Sequence, residues 1–288
     1  MKNILVVGMH KSGTTIVSSV IQSSIAGARL CIEPMHVGFF ENCDKAGVPL
    51  VVKILYEHWM QRPSLLAGIV RGEAGFRPDK AVALVRDPRD GLISELMYGA
   101  YERIVEGAGR RQVDEWVGIV RAKEANPGSH SLIDLIAAFG RIFKVESNPD
   151  AFFEAFETYS AWIDENRDRF HVMRYEDFVA GDVAGLSGYL GIELSPSREV
   201  HPSIGRVTRT RGSGAWREMM LPEDIAYLRN RFGSALAARG YSDWDIHPAE
   251  SDPATGSDYI LKVADEAFRL ISGWSSFPPR MQTPRNIR

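Results

Sequence analysis

Residues 4–15 have the sequence ILVVGMHKSGTT, and this stretch decides the fold class. Its first residues are apolar and end at a glycine, a pattern typical of a buried strand in a parallel sheet. After the loop, apolar residues recur at helical spacing, at Ile16, Val17, Val20 and Ile21. The stretch therefore predicts a strand, a loop and a helix in immediate succession.

Further apolar runs along the chain predict additional strands. They occupy residues 28–33, 49–55, 81–85 and 171–175, and helical periodicity follows several of them, as it does just past Pro88. Strands that alternate with helices favour a parallel sheet with both faces covered. The fold class is therefore predicted to be α/β, with a parallel β-sheet flanked by helices.

The length of 288 residues suits one large domain with a helical appendage. We expect a main domain over residues 1–248 that contains a helical insertion at 102–149. Residues 249–288 are predicted to form a linker, an amphipathic helix and a tail disordered at its tip. The apolar face of that helix would dock on the body or on a partner subunit, so a homodimer is left open.

Composition excludes several classes of protein. With 34 Lys and Arg against 37 Asp and Glu, the formal charge of −3 gives no basic field, so we expect no nucleic-acid partner. Cys31, Cys43 and the intervening His36 lack a regular ligand spacing, and no metal site is predicted. His10 and Lys11 interrupt the N-terminal apolar run, so no membrane span and a cytoplasmic location are expected.

The loop between the predicted strand and helix is placed to bind an anion through backbone N–H groups and the helix dipole. A nucleotide triphosphatase loop would have the pattern G-x-x-x-x-G-K-[ST], but Thr14 occupies the lysine position and Lys11 lies inside the loop. Lys11, the amides of residues 12–15 and the threonine hydroxyls would then hold the anion. In the simpler interpretation, Gly8 and Gly13 only shape a tight turn and the lysine is solvated.

The sequence K-S-G-T-T resembles the 5′-phosphosulfate loop, (R/K)-S-G-T-T, of the sulfotransferases that use 3′-phosphoadenosine 5′-phosphosulfate (PAPS). The resemblance implies a P-loop NTPase-like three-layer fold and sulfuryl transfer from PAPS to a hydroxyl or amine of a small-molecule or carbohydrate acceptor, with PAP as product. It also implies that Lys11 stabilises the charge on the departing phosphate. The implied loop contacts are Lys11, Ser12, Gly13, Thr14 and Thr15.

A second match begins at Arg86, where the sequence is R-D-P-R-D-G-L-I-S. It resembles the family's 3′-phosphate motif, in which an arginine at a strand end is followed eight residues later by a helical serine, here Ser94. The resemblance implies that both side chains grip the 3′-phosphate, as suits the planar arginine fork and a hydroxyl donor. The alternative is a surface salt-bridge cluster formed with Asp87 and Asp90.

Two weaker matches follow downstream. The sequence Y-E-D at residues 175–177 is similar to the family's Y-E-D, which implies that Tyr175 lies beside the adenine, although it could be an ordinary rim tyrosine. Residues 209–216, R-T-R-G-S-G-A-W, resemble a shortened R-K-G-x-x-G-D-W segment that closes over the 3′-phosphate. This implies Gly212 and either Arg209 or Arg211 as contacts, with Arg211 favoured.

The transfer also needs a group that takes the acceptor's proton. The branch of the family that acts on hormones and phenols uses a histidine two residues after a strand lysine, but Leu55 stands two residues after Lys53. Sugar-modifying branches place a glutamate after the loop helix, which Glu33 matches, so we expect Glu33 to be the general base with assistance from Lys53. His36 and His58 are the rival bases, and both Glu33 and Lys53 could instead be ordinary strand-end residues.

Two other functions are left open. A P-loop small-molecule kinase would share the strand, loop and helix, but Thr14 at the lysine position and the lack of an evident aspartate-ended strand argue against it. A non-catalytic nucleotide-binding protein of the same fold is the other.

Overall fold

The computed structural model describes residues 3–43, 47–195 and 212–274. Arg209, Arg211 and the predicted C-terminal tail lie outside the described residues. In chain order the elements are β1 (Asn3–Gly8), α1 (Thr14–Ser23), β2 (Arg29–Ile32), α2 (Val37–Asn42), β3 (Leu50–Leu55), α3 (Pro63–Arg71), β4 (Lys80–Val85), α4 (Pro88–Val105), α5 (Arg110–Ala125), α6 (Leu132–Phe143), α7 (Ala151–Glu165), β5 (His171–Arg174), α8 (Tyr175–Ala180), α9 (Ala184–Leu190), α10 (Trp216–Met219), α11 (Pro222–Ala238) and α12 (Ser257–Trp274).

The five strands form one parallel sheet in the order β2-β3-β1-β4-β5. In the register, Gly8 at the end of β1 pairs with Leu55 of β3 and Leu84 of β4. The chain leaves β1 toward β2 on one side and leaves β4 toward β5 on the other. The carboxyl ends of β1 and β4 therefore flank a topological switch point, where ligands bind in open α/β sheets.

Both faces of the central strand are covered. Ile4 and Val6 pack in a cluster with Val17 of α1 and Leu186 of α9, while the alternating residue Leu5 on the opposite face is equally buried. A strand with both faces buried reads as a continuous apolar run, which is why residues 4–7 were recognisable in the sequence. The predicted α/β class, with a parallel sheet flanked by helices, is confirmed.

The chain divides into two compact units, and the sheet belongs to the first, which comprises Met1–Ser94, Asn148–Arg217 and Ile225–Asp245. Every residue of the candidate site, from the loop after β1 to Tyr241 and Trp244, falls within this unit. The site can therefore be described from one unit alone.

The second unit is helical and comprises Glu95–Ser147, Glu218–Asp224 and Ile246–Arg288. Within it, the predicted amphipathic C-terminal helix is α12, which packs against α5. The buried Glu124 of α5 accepts hydrogen bonds from the backbone N–H and the hydroxyl of Ser257, both at 2.6 Å, and so caps the start of α12. No helix in the described ranges is long and apolar enough to cross a membrane.

Candidate active site

The loop after β1 leads into helix α1, and the N-terminus of this helix has no side-chain cap. Helix α1 begins at Thr14 behind Gly13, which has a left-handed φ of 87° and provides no side-chain cap. The first N–H groups of a helix have no partner within the helix, so those of α1 point toward the loop as donors for an anion. Ser12 closes the loop by donating its hydroxyl to the Met9 carbonyl at 2.6 Å, and Lys11 also has a left-handed φ of 60°.

Both glycines of the loop are required by close contacts. A Cβ atom on Gly8 would lie 2.5 Å from Cγ2 of Thr14 and 2.6 Å from Oγ of Ser12. A Cβ atom on Gly13 would overlap the ring of Tyr175, and the positive φ disfavours a side chain there in any case. The glycines thus let the loop fold tightly under that tyrosine ring.

Four sequence segments meet at the side chain of Arg86, which follows β4 directly. Its Nη1 donates to the Lys11 carbonyl at 2.8 Å and its Nη2 to the Gly212 carbonyl at 3.4 Å. Its guanidinium lies 4.7 Å from the centre of the Tyr175 ring. The structure therefore brings together Arg86, the loop, the Y-E-D segment and the end of the 209–216 segment, all chosen from sequence.

The Nε atom of Arg86 is buried and has no hydrogen-bond partner among the described residues. No carboxylate of those residues lies within ion-pair distance of this guanidinium either. Buried polar groups are nearly always satisfied, and arginine is the side chain best suited to phosphate oxygens. An anion in this place would supply the partner that Nε lacks.

The second arginine of the same motif has a different environment. Arg89 is 1% exposed and donates to both carboxylate oxygens of Asp87, from Nε at 2.8 Å and from Nη2 at 2.6 Å. Its guanidinium also lies against two indole rings, 3.7 Å from the centre of Trp216 and 4.5 Å from that of Trp244. The ion pair of Asp87 with Arg89 is therefore buried, and not part of a surface salt-bridge cluster.

Asp90 fixes the segment that touches Arg86. Its carboxylate is completely buried and accepts hydrogen bonds from the backbone N–H of Gly214 at 2.5 Å and of Trp216 at 3.1 Å. Burial raises the pKa of Asp90 above its usual value, and the nearby Arg86 counteracts that shift. We call Asp87, Arg89 and Asp90 the anchor cluster.

The Y-E-D segment is fastened to the same place by its glutamate. Glu176 accepts a hydrogen bond from the backbone N–H of Asp87 at 2.9 Å and another from the hydroxyl of Tyr241 at 3.1 Å. Burial raises the pKa of Glu176. Because Glu176 is held to the end of β4, its neighbour Tyr175 is held over Gly13.

Two residues that were predicted to be catalytic, Lys53 on β3 and Glu33 after β2, are in contact with each other. The ammonium group of Lys53, 3% exposed, forms an ion pair with the carboxylate of Glu33, and the Glu33 N–H donates to the Lys53 carbonyl at 2.8 Å. Burial lowers the pKa of Lys53, and the charge of Glu33 counteracts that shift. The rival bases His36 and His58 are both exposed.

A second pair of interacting side chains, His10 and Glu57, lies beside the loop and was not predicted from the sequence. The Nδ1 atom of His10 lies 2.5 Å from Oε1 of Glu57, and the backbone N–H of His10 donates to the same oxygen at 3.0 Å. Glu57 lies in the short turn Tyr56–His58 that follows β3. The one available signal was position, because both residues follow the carboxyl ends of neighbouring parallel strands.

A crevice that is open to solvent lies at this edge of the sheet. Its walls include His10, Lys11 and Ser12 of the loop, Arg86 at the end of β4 and the aromatic ring of Phe152. Ser94 lies half-buried on the second turn of α4. The crevice thus contains the cations and donors that an anionic ligand needs.

Comparisons with known proteins give structural similarities but no match in sequence. No family model matches the sequence, and no curated protein matches it. Among solved structures, the chain is similar to the mouse sulfotransferase SULT7A1 complexed with PAP, with 17% sequence identity and a TM-score of 0.49 over 84% of this chain and 86% of the other.

Proposed function

We propose that this chain transfers a sulfuryl group from PAPS to a hydroxyl or amine of a small-molecule or carbohydrate acceptor. The observation that carries the proposal is the convergence on Arg86 of Lys11, Tyr175 and Gly212. Those residues come from separate segments, each of which has a role toward one doubly phosphorylated adenosine in the sulfotransferase pattern.

The donor fits the groups on each side of the crevice. The uncapped amides of α1, with Ser12, Thr14, Thr15 and Lys11, would bind the 5′-phosphosulfate. The proposed contacts of the 3′-phosphate and the adenine are Arg86, Ser94, Gly212, Arg211 (or Arg209) and Tyr175. The unsatisfied Nε of Arg86 supports this fit, because a phosphate oxygen is the acceptor that it lacks.

In the transfer, a lone pair of the acceptor atom attacks sulfur in line with the leaving phosphate. The bond from sulfur to the 5′-phosphate oxygen breaks, its electron pair stays on that oxygen, and PAP leaves. Lys11 and the α1 amides would stabilise the charge that grows on this oxygen. Lys53 is proposed to stabilise charge on the acceptor side, and Glu33 as general base stays a prediction.

Thermal-shift measurements separate this function from that of a P-loop kinase. PAP without metal should raise the melting temperature, because a ligand that binds only the folded state stabilises it, whereas ATP with magnesium should have little effect. AMP, which lacks the 3′-phosphate, is the matched control and should stabilise less than PAP. A response to ATP with magnesium and none to PAP would contradict the proposal and favour the kinase.

Turnover separates the enzyme from a non-catalytic nucleotide-binding protein. PAP release would be measured when PAPS is offered with a panel of alcohols, sugars and amines. The proposal expects release that depends on one class of acceptor. Binding of PAP with no release from any class would favour the non-catalytic protein.

A further inference from the structure

His10 and Glu57 form a carboxylate–imidazole pair inside the candidate site. Two hydrogen bonds from His10, one from its ring and one from its backbone, converge on the same oxygen, Oε1 of Glu57. The imidazole ring also packs edge-on against Phe152, with ring centres 5.0 Å apart. The ring is therefore fixed from two sides in the wall of the crevice.

The other carboxylate oxygen of Glu57, Oε2, is buried and has no hydrogen-bond partner among the described residues. Oε1 of Glu57 makes the contact to the imidazole, and the charge of Glu57 also acts on the buried ammonium of Lys53. A carboxylate on Nδ1 holds the hydrogen on that nitrogen, which makes Nε2 the ring atom that can accept a proton. The same carboxylate stabilises the imidazolium that forms.

Glu33, the base expected from sequence, is differently placed. Its carboxylate already accepts from the buried ammonium of Lys53, and the two side chains form an ion pair. A proton on Glu33 would remove the charge that compensates this buried lysine, at a cost. The Glu33–Lys53 pair is therefore better suited to holding a positive charge at the site than to taking up a proton.

We propose that His10 takes up the proton of the acceptor substrate during the transfer, and that Glu57 is the residue that positions His10. This inference rests on the proposed sulfotransferase function. As the acceptor oxygen bonds to sulfur, its hydrogen moves to Nε2 of His10. The electron pair of the broken sulfur–oxygen bond stays on the 5′-phosphate of PAP. The imidazolium, paired with Glu57, then returns the proton to water, and the products are PAP and a sulfate ester.

Other titratable groups surround this imidazole, and they set its pH range together with Glu57. The walls of the crevice contribute Lys11 next to it in the loop, Arg86 and Asp87 after β4, and Tyr159 of α7. The hydroxyl of Tyr159 donates to the carbonyls of Val7 and Leu84. Glu57 contacts the ring directly, and its charge also acts on Lys53, Tyr56 and Tyr159, while Lys11, Arg86 and Asp87 line the same crevice.

The first test needs no acceptor. With PAP bound to the full chain labelled with ¹⁵N-histidine, long-range proton–nitrogen spectra should show the Nδ1–H form of His10 at neutral pH. Glu57→Gln should lose this preference. An Nε2–H form in the wild-type protein would overturn the proposal, because that nitrogen could not then accept a proton.

The second test is the rate of PAP release from PAPS with the acceptor panel. His10→Gln should lower the rate about 10²–10⁴-fold, the usual loss when a general base is removed. The dependence of the wild-type rate on pH should show an ascending limb, which Glu57→Gln moves to lower pH because the imidazolium loses its carboxylate. Glu33→Gln should leave the position of that limb unchanged.

The assignment of His10 would be overturned if His10→Gln released PAP at the wild-type rate. It would also be overturned if the ascending limb of the pH dependence disappeared in Glu33→Gln. PAP titrations by calorimetry keep this failure apart from that of the proposed function. All three variants should bind PAP with nearly the wild-type affinity, since none of these side chains is assigned to the nucleotide. If the wild-type chain itself does not bind PAP, the proposed function fails.

Discussion

Two arginines of one short motif, three residues apart, have opposite surroundings. Arg86 faces the crevice, contacts neutral carbonyls and a tyrosine ring, and has a buried Nε without a partner in the described part of the chain. Arg89 is enclosed by the carboxylate of Asp87 and two indole rings. The difference shows that two arginines of one segment can serve separate purposes: the fully paired Arg89 stabilises the local structure, and the incompletely paired Arg86 is the one that we propose for the nucleotide.

The largest effect is expected when the paired arginine is removed. Arg89→Met leaves the carboxylate of Asp87 buried without its cation, which should lower the free energy of unfolding by about 3–5 kcal/mol in urea denaturation. Arg86→Met is the matched control and should lose less stability, because Asp90, whose pKa shift Arg86 counteracts, keeps its hydrogen bonds from the backbone N–H groups of Gly214 and Trp216. Equal losses of stability in the two variants would remove the distinction between them.

The next effect concerns binding rather than stability. Arg86→Met should weaken PAP binding by about 1–3 kcal/mol in calorimetric titrations, because a charge-assisted contact to the 3′-phosphate is lost. AMP, which has no 3′-phosphate, should bind the variant and the wild-type chain almost equally. If AMP loses as much affinity as PAP, Arg86 contacts another part of the nucleotide or supports the loop.

Gly13 tests whether the ring of Tyr175 is fixed over the loop. Gly13→Ala should lower the free energy of unfolding by about 1–2 kcal/mol, because the residue has a positive φ and its new methyl group would overlap that ring. Gly27→Ala is the control, since Gly27 also has a positive φ, of 71°, but open space around it. Losses of the same size would mean that only the backbone matters and that the ring moves away readily.

The smallest effect is a dependence on pH that comes from Glu176. Because burial raises the pKa of Glu176, the folded chain holds its proton to higher pH than the unfolded chain does, and stability falls as pH rises through that interval. Glu176→Gln lacks this titration. Urea denaturation from about pH 4 to about pH 7 should therefore show the wild-type chain losing stability relative to the variant. Parallel curves for the two chains would contradict this expectation. The affinity of Glu176→Gln for PAP should change little, because Glu176 is not among the proposed contacts of the nucleotide.

The fold was predictable because its signals are local. The central strands β1, β3 and β4 are short, mostly apolar runs, and each strand predicted from the sequence matches a strand of the sheet. The helix predicted just past Pro88 is α4, with the bounds Pro88–Val105. The meeting of the loop after β1 with Arg86 also follows, since parallel strands end at the same edge of a sheet and ligand-binding loops gather there.

The sequence by itself determined the strands, the loop and which segments would come together. Only the tertiary structure decided that Arg89 pairs with Asp87 inside the protein, and that His10 meets Glu57, 47 residues away in the chain. The physical reason is that periodicity reports the burial of a segment and the course of its backbone. Pairing between side chains depends on strand register and on which groups compete for each charge, and these are fixed only when the whole sheet has formed.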